Sequence, residues 1–134
     1  MTQRTITLTG RPPVTVDEDT WPVIAAATGK VWDNQYEFQA NRTSKWGIYV
    51  RQHDDGRALV YATYSHCSAY QNARCYAAKR GVLLPAGTTD ESICDAIRNV
   101  CDDIAGAECA GDDAARWPTL AAECVADMPA EMLE

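Results

Sequence analysis

Alternating hydrophobic and polar residues along the first half of the chain predict β-strands. The run RTITLTG at 4–10 places Ile6 and Leu8 on one side of an extended segment, between threonines on the other side. A period of two residues is typical of a strand with one buried face. Similar runs predict further strands at 14–16, 36–42, 45–53 and 57–66. We therefore expect an antiparallel β-meander in this part of the chain.

The pair Asp55-Gly56 predicts the turn between the last two of these strands. A two-residue type I′ turn needs positive φ at both central positions, which Asp and Gly accept. Pairing Asp54 with Arg57 would place Val50 opposite Tyr61. In that register the core face consists of Trp46, Ile48, Val50, Leu59 and Tyr61. The opposite face would be polar, basic and aromatic, and it would carry Lys45, Tyr49, Arg51, His53, Val60, Tyr64 and His66.

Two other segments complete the prediction for the first 80 residues. WPVIAAAT at 21–28 has Pro22 in its first turn, where proline is tolerated, and Gly29 at its end, so it predicts a short N-terminal helix. The segment 68–80 fits either a strand or a helix. Its evenly spaced tyrosines favour a strand or an irregular edge.

The C-terminal third predicts two helices. Thr88 and Glu91 have the spacing of a capping box, which indicates a helix over 89–105. A second helix is predicted over 113–128, with Pro118 early in it. The expected fold class is therefore α+β: an antiparallel β-meander sheet, a short N-terminal helix, and two C-terminal helices packed on one face.

Length and composition predict one domain over residues 1–134, because 134 residues with 46% hydrophobic side chains can bury a core without staples. The longest apolar runs fall short of the roughly 18 residues of a membrane helix. The start of the chain lacks the basic flank and apolar stretch of a secretory signal. We therefore expect a cytoplasmic protein with no membrane partner.

Cysteine and histidine spacing predicts neither a metal site nor a cofactor. The six cysteines include no CxxC pair, and their positions at helical spacing favour reduced, structural thiols. His53 and His66 fall at opposite ends of the predicted hairpin, so they cannot share an ion. Each histidine alone offers fewer ligands than the three or four of a zinc site.

Charge is distributed unevenly along the chain, whose formal net charge is −7. Residues 42–80 carry seven cationic side chains against two carboxylates, whereas residues 90–134 carry twelve carboxylates against two arginines. Acidic residues on a helix can occupy a cationic groove built for phosphates, although solvated helices are often acidic for solubility alone. The candidate partner-binding residues on this acidic surface are Glu91, Asp95, Asp102, Asp103, Asp112 and Asp113.

An alternative places the site on the basic, aromatic face of the central hairpin. Its cations and tyrosines would bind the phosphates and stack on the bases of a nucleic acid. The residues of this alternative are Lys45, Tyr49, Arg51, His53 and Tyr64. The sequence pI of about 4.7 counts against it. Association of this face with a second copy would give a homodimer.

An enzyme is the least supported class. The sequence lacks a Gly-rich phosphate loop, a nucleophile elbow and an ordered Ser/His/Asp set, so no catalytic residue is assigned. The best remaining nucleophile is Cys67 beside His66, without a third group to orient the base.

Several motifs resemble those of small proteins carried on phages and integrative elements of GC-rich proteobacteria. These are TITLTGRPPV near the start, WPVIA, QANR at 39–42, VRQHDDGRALVYATYS at 50–65 and LAAECVADMPAE at 120–131. The resemblance implies an anti-CRISPR protein, which inhibits a host defence complex by binding it without catalysis. The implied partner is a type I CRISPR effector, with the acidic surface competing with nucleic acid.

Overall fold

The computed structural model describes residues 2–8, 10–36, 39–68, 74–109 and 111–130. Within these ranges the chain forms six strands and three helices. The strands are β1 (Gln3–Ile6), β2 (Val14–Asp17), β3 (Val23–Tyr36), β4 (Gln39–Gln52), β5 (Ala58–Ser68) and β6 (Arg74–Leu84). The helices are α1 (Asp90–Glu108), α2 (Gly111–Ala115) and α3 (Trp117–Asp127).

The α+β fold class is confirmed. Strands β3 to β6 form one antiparallel sheet in chain order, and β1 pairs with β2 in a separate antiparallel sheet. Helix α1 lies over β5 and β6, and α3 lies over β3 and β4. Both long helices therefore pack on one face of the large sheet, as expected.

A core of small and branched side chains joins the sheet to the helices. Alternate residues of the strands, such as Ala27, Ile48 and Val60, face Ile97 of α1 and Trp117 of α3. The small side chain of Ala27 lets α3 pack close to β3. At Gly29, a built Cβ would lie 3.7 Å from the Leu120 side chain. The Asp127 carboxylate also accepts a hydrogen bond from the Ala26 backbone N–H, at 2.9 Å.

A second, smaller core lies on the opposite face of the sheet. Ile6, Leu8 and Trp21 pack there against Leu59 and Tyr61 of β5. Successive residues of a strand point to opposite faces, so Leu59 and Tyr61 belong to this layer and Val60 to the helix layer. The sheet is thus covered by helices on one side and partly by the β1–β2 pair on the other.

The predicted register of the β4–β5 hairpin is wrong by one residue. Val50 pairs with Val60 instead of Tyr61, and the loop closes with Gly56 N–H donating to His53 O at 2.9 Å. Gly56 takes a positive φ, of 94°, and residues 54–56 form a three-residue loop in place of the two-residue turn. The one-residue shift moves Leu59 and Tyr61 away from the predicted core face, and it moves Val60, Tyr64 and His66 onto the helix side.

The predicted N-terminal helix over 21–28 is also wrong, because residues from Val23 onward form β3. Ala25 and Ala27 face the helices while Ala26 and Thr28 face the other way. Alanine favours a helix in isolation, but backbone pairing with β4 and packing under α3 override that preference. For the ambiguous segment, residues 74–80 lie in β6, as favoured, and residues 69–73 lie outside the described ranges.

Both C-terminal helices exist, with corrected ends. The α1 cap is Thr89, not Thr88: its Oγ1 accepts from the Ser92 N–H at 3.1 Å. The single helix predicted over 113–128 is divided into α2 and α3 at Arg116. Pro118 explains the division, since proline lacks an N–H and fits only the first turn of a helix.

The expectation that all six cysteines are reduced is wrong for one pair. Cys67 and Cys75 face each other across β5 and β6, with Cα atoms 4.1 Å apart, and form a disulfide. Disulfides persist in oxidising compartments, so this bond counts against the reducing environment that was predicted. Cys101 and Cys124 are buried thiols as expected, and burial raises the pKa of each to about 12.

Candidate functional site

The outer side of α1 carries the predicted acidic residues. Glu91, Asp95 and Asp102 follow one another at helical spacing and are all exposed. The opposite side of the helix is buried against the sheet through Ile93, Ile97, Val100 and Ile104. We call the exposed set formed by Glu91, Asp95, Asp102, Asp103 and Asp112 the acidic helix surface.

Two of these carboxylates are engaged in ion pairs. Asp95 accepts from Arg98 within α1 at 3.2 Å, and Asp103 accepts from Arg80 of β6 at 3.2 Å. Arg80 also donates to Glu108 at 2.9 Å. Exposed ion pairs add little stability, but they reduce the negative potential that a partner would meet at Asp95 and Asp103.

Of the α1 carboxylates in the acidic helix surface, Glu91 and Asp102 form no ion pair with another described residue. Glu91 lies in the first turn, where a negative charge is favourable beside the helix N-terminus. Asp102 lies near the groove between α1 and α3. These two residues therefore present uncompensated negative charge on the outer side of α1.

Asp113 was predicted on this surface, but it lies in α2 with its side chain facing the sheet. Its Oδ2 accepts hydrogen bonds from Ser44 Oγ, at 2.9 Å, and from the Tyr64 hydroxyl. Its backbone carbonyl accepts from Trp46 Nε1 at 2.9 Å. Asp113 thus anchors α2 to β4 and β5, and its carboxylate is not available to a partner in the way that exposed Asp112 is.

Ser44, His66 and Asp113 bring together the residue types of a nucleophilic triad in a different geometry. Ser44 Oγ donates to Asp113, and since a serine has one proton, it accepts from His66 Nδ1 at 2.8 Å. A triad instead needs the histidine between the serine and the carboxylate. The cluster is therefore a polar contact between the sheet and α2. It could not be recognised from the sequence, because only the observed register pairs Ser44 with His66.

Two groups beside this cluster, the Tyr64 hydroxyl and the Cys109 thiol, have raised pKa values, which favours their protonated forms. Burial raises the pKa of Tyr64, and the adjacent Asp113 carboxylate raises it further. Burial also raises the pKa of Cys109, which lines the same cleft and accepts from Trp117 Nε1 at 3.2 Å. Cys67, the nucleophile considered from the sequence, is bonded to Cys75 and is not a free thiol.

The predicted nucleic-acid-binding face is divided by the corrected register. Tyr64 lies on the helix side of the sheet, whereas Lys45 and Tyr49 lie on the other side. His53 is in the loop after β4, where its Nδ1 is 3.2 Å from the Asp55 carboxylate and its ring packs on Trp21. These residues do not form one continuous surface, and a homodimer through that face stays a prediction.

Arg51 is 6% exposed and has a structural role. Its Nε donates to the Tyr61 hydroxyl at 3.1 Å, and its Nη1 donates to the Trp21 carbonyl at 3.0 Å. The Glu18 carboxylate lies 3.8 Å from its Nη2. Arg51 therefore ties β4 to the layer formed by β1 and β2 instead of meeting a phosphate.

Among the described residues, no group of three or more His, Cys, Asp or Glu side chains is placed to hold a metal ion. Within the same ranges, no helix combines the length and apolar character needed to span a membrane. Comparisons of the chain with protein families, curated proteins and solved structures find no match.

Proposed function

We propose that this protein is a non-enzymatic binding protein whose acidic helix surface docks on a cationic surface of another protein. The observation that carries the proposal is the outward stripe of α1, where exposed Glu91 and Asp102 have no ion-pair partner among the described residues. Charge that no neighbouring cation neutralises is available to a complementary surface.

The arrangement of the fold supports a docking role for α1. Its buried side is fixed by branched side chains that pack on β5 and β6, so the exposed carboxylates project from a rigid base. Negative charge on a rigid helix raises the rate of encounter with a positive groove and disfavours wrong partners. Grooves that bind nucleic-acid backbones are positive surfaces of this kind.

The resemblance to proteins of phages and integrative elements makes the proposal more specific. We infer an anti-CRISPR type of inhibitor that acts in the cytoplasm of the bacterial host, with a type I CRISPR effector as partner. Carboxylates on α1 would occupy positions that phosphates take on the effector, and target DNA would then compete with the inhibitor. The Cys67–Cys75 bond joins β5 to β6, whereas the proposed docking residues lie on the outer side of α1.

The test is a charge reversal at Glu91 and Asp102, on the outer side of α1. Glu91→Lys together with Asp102→Lys should weaken binding to a purified type I effector complex by about 100-fold, because two favourable charge contacts become repulsive. Biolayer interferometry in the presence of nuclease measures this affinity. A separate measurement without nuclease, with added target DNA, should show competition.

The matched control is Asp19→Lys with Asp54→Lys, which makes the same change in net charge at two exposed turn residues. We expect this control to bind with nearly unchanged affinity. Equal binding by both double variants would contradict docking through the acidic helix surface. Failure of the unmodified protein to bind the effector at all would contradict the choice of partner.

A further inference from the structure

The half of the sheet that β1 and β2 leave uncovered carries a groove of about 590 Å³ on the face opposite the helices. Two cross-strand rows form it: Lys30, Lys45 and Ser65 are paired neighbours in one, and Thr28, Gly47, Thr63 and Lys79 in the other. The side chains that give it its chemistry are Thr28, Lys30, Lys45, Thr63, Ser65 and Lys79.

The charge of this groove is the reverse of the charge of the whole protein. The chain has a formal net charge of −7, yet the described residues that line the groove include three lysines and no carboxylate. Lys30, Lys45 and Lys79 are exposed and form no ion pair with another described residue. Their charge is therefore available to an anion.

Lys30 and Lys45 are direct partners across β3 and β4. Like charges directly opposite each other on one face of an antiparallel pair are destabilising. A bound anion would convert this repulsion into an attraction that both ammonium groups share. The pair is thus a stronger indication of a ligand than two lysines at unrelated surface positions.

The floor of the groove is small and polar. Gly47 leaves room for the Tyr49 ring, since a Cβ there would come within 2.7 Å of that ring and 2.9 Å of Thr63 Oγ1. Tyr49 stacks on Tyr61 at the boundary of the covered half, with ring centroids 5.2 Å apart. The hydroxyl groups of Thr63 and Ser65 lie between the lysines and can donate to anionic oxygens.

We propose that this groove binds the phosphodiester backbone of a single-stranded nucleic acid. Lys30 lies on one edge strand and Lys79 on the other, three strand spacings or about 14 Å apart. A single phosphate would contact both lysines only if the two side chains bent toward each other, whereas consecutive phosphates of an extended strand can contact each lysine separately. The hydroxyl-bearing floor between them fits a backbone that crosses the sheet, with Tyr49 as an aromatic wall at one side.

This site is distinct from the acidic helix surface, because it lies on the other face of the sheet and uses other residues. Binding of a nucleic acid in the groove does not depend on docking through the acidic helix surface. It also differs from the nucleic-acid face predicted from the sequence, since only Lys45 and Tyr49 are common to both. Lys30 and Lys79 become candidates only when the pairing of all four strands is known.

Fluorescence anisotropy with labelled oligothymidylate and oligouridylate of about twelve nucleotides tests the proposal. For three phosphate contacts, the logarithm of the association constant should fall with the logarithm of salt concentration with a slope of about −2. Lys30→Ala with Lys45→Ala should weaken binding about tenfold or more at low salt and reduce the slope to about −0.7. A duplex of equal length should bind more weakly than either single strand.

Arg98→Ala with Arg116→Ala is the matched control, since it removes two positive charges from the helix side. It should leave oligonucleotide affinity unchanged. Lys45→Glu separates binding from folding: it should abolish binding while it raises Tm, because Lys30 then faces a carboxylate. The proposal is overturned if neither oligonucleotide binds, if the control loses as much affinity as the lysine variant, or if the duplex binds best.

Discussion

Asp113 belongs to the acidic C-terminal third of the chain, yet its carboxylate forms hydrogen bonds between α2 and the sheet. Its carboxylate receives hydrogen bonds from Ser44 and Tyr64, and its helix turn is thereby fixed to the sheet. The sequence alone predicts that Asp112 and Asp113 are both solvated at the end of a helix or in a loop. The neighbouring Asp112 is exposed and Asp113 is not, because the one-residue difference turns Asp113 toward β4 and β5.

The contact predicts an unusual titration of Tyr64. Burial and the Asp113 carboxylate both raise its pKa, so Tyr64 should ionise at a higher pH than a free tyrosine does. Asp113→Asn removes the negative charge but keeps an acceptor, and we expect the pKa of Tyr64 to fall part of the way toward its ordinary value. The near-ultraviolet absorbance of tyrosinate, measured against pH, reports both titrations.

The same shift affects stability in alkaline solution. A pKa that is higher in the folded state stabilises the fold at pH values below about 10, the unfolded value of tyrosine. This contribution is lost as the pH rises from there through the folded value. The free energy of unfolding should therefore decline less steeply above that pH in Asp113→Asn than in the unmodified protein, and identical slopes would contradict the role given to Asp113.

At the scale of elements, the sequence predicts which segments are regular better than it predicts how they pair. Ile6 and Leu8 are buried as their alternation predicted, and α1 follows the expected apolar stripe. The β4–β5 register failed because Asp55-Gly56 fits both a two-residue and a three-residue loop. Since strand side chains alternate, that single residue reassigns every side chain of β5 to the other face.

The error at 21–28 has a different cause. Alanine-rich segments favour a helix locally, whereas Ala25 and Ala27 are needed in β3 because larger side chains would keep α3 from the sheet. The register error also affected the alternative nucleic-acid-binding face, because it placed Tyr64 on the same side of the sheet as Lys45 and Tyr49. The groove lysines lie on β3, β4 and β6, and pairing of strands that distant in sequence cannot be read from periodicity within one strand.

Two glycines should respond in opposite directions to the same added methyl group. A Cβ at Gly81 of β6 would lie 2.5 Å from Val60 O and 2.7 Å from Tyr61 Cβ, so Gly81→Ala must displace β5 or β6. We expect the free energy of unfolding to fall by about 1–3 kcal/mol. Gly106 of α1 has open space around the corresponding position, and Gly106→Ala should raise it by up to about 1 kcal/mol.

Urea denaturation of the two variants beside the unmodified protein measures both changes. Gly106→Ala serves as the control, because it adds the same atoms in an exposed helical position. A Gly81→Ala variant as stable as the unmodified protein would show that β6 does not approach Tyr61 as closely as described.

At the scale of the whole molecule, the large sheet separates two layers with different cores and different charge. The helix layer has the larger core and most of the carboxylates. The other face is shared between the small β1–β2 core and the lysine groove. Such a division lets one side present an acidic surface and the other a basic one while the same four strands support both.

Arg51 is the main polar link between the sheet and the β1–β2 layer, and its loss should release that layer first. Arg51→Ala removes the hydrogen bonds to the Tyr61 hydroxyl and the Trp21 carbonyl and opens space beneath them. We expect the free energy of unfolding to fall by about 3 kcal/mol. Because the β1–β2 core is small, amide hydrogen exchange over residues 2–17 should accelerate strongly while α1 and α3 keep their protection.

Arg51→Lys retains the charge without the planar fork and should give a smaller effect of the same pattern. Uniform acceleration across both layers would contradict this, and would mean that the two cores unfold as one cooperative unit.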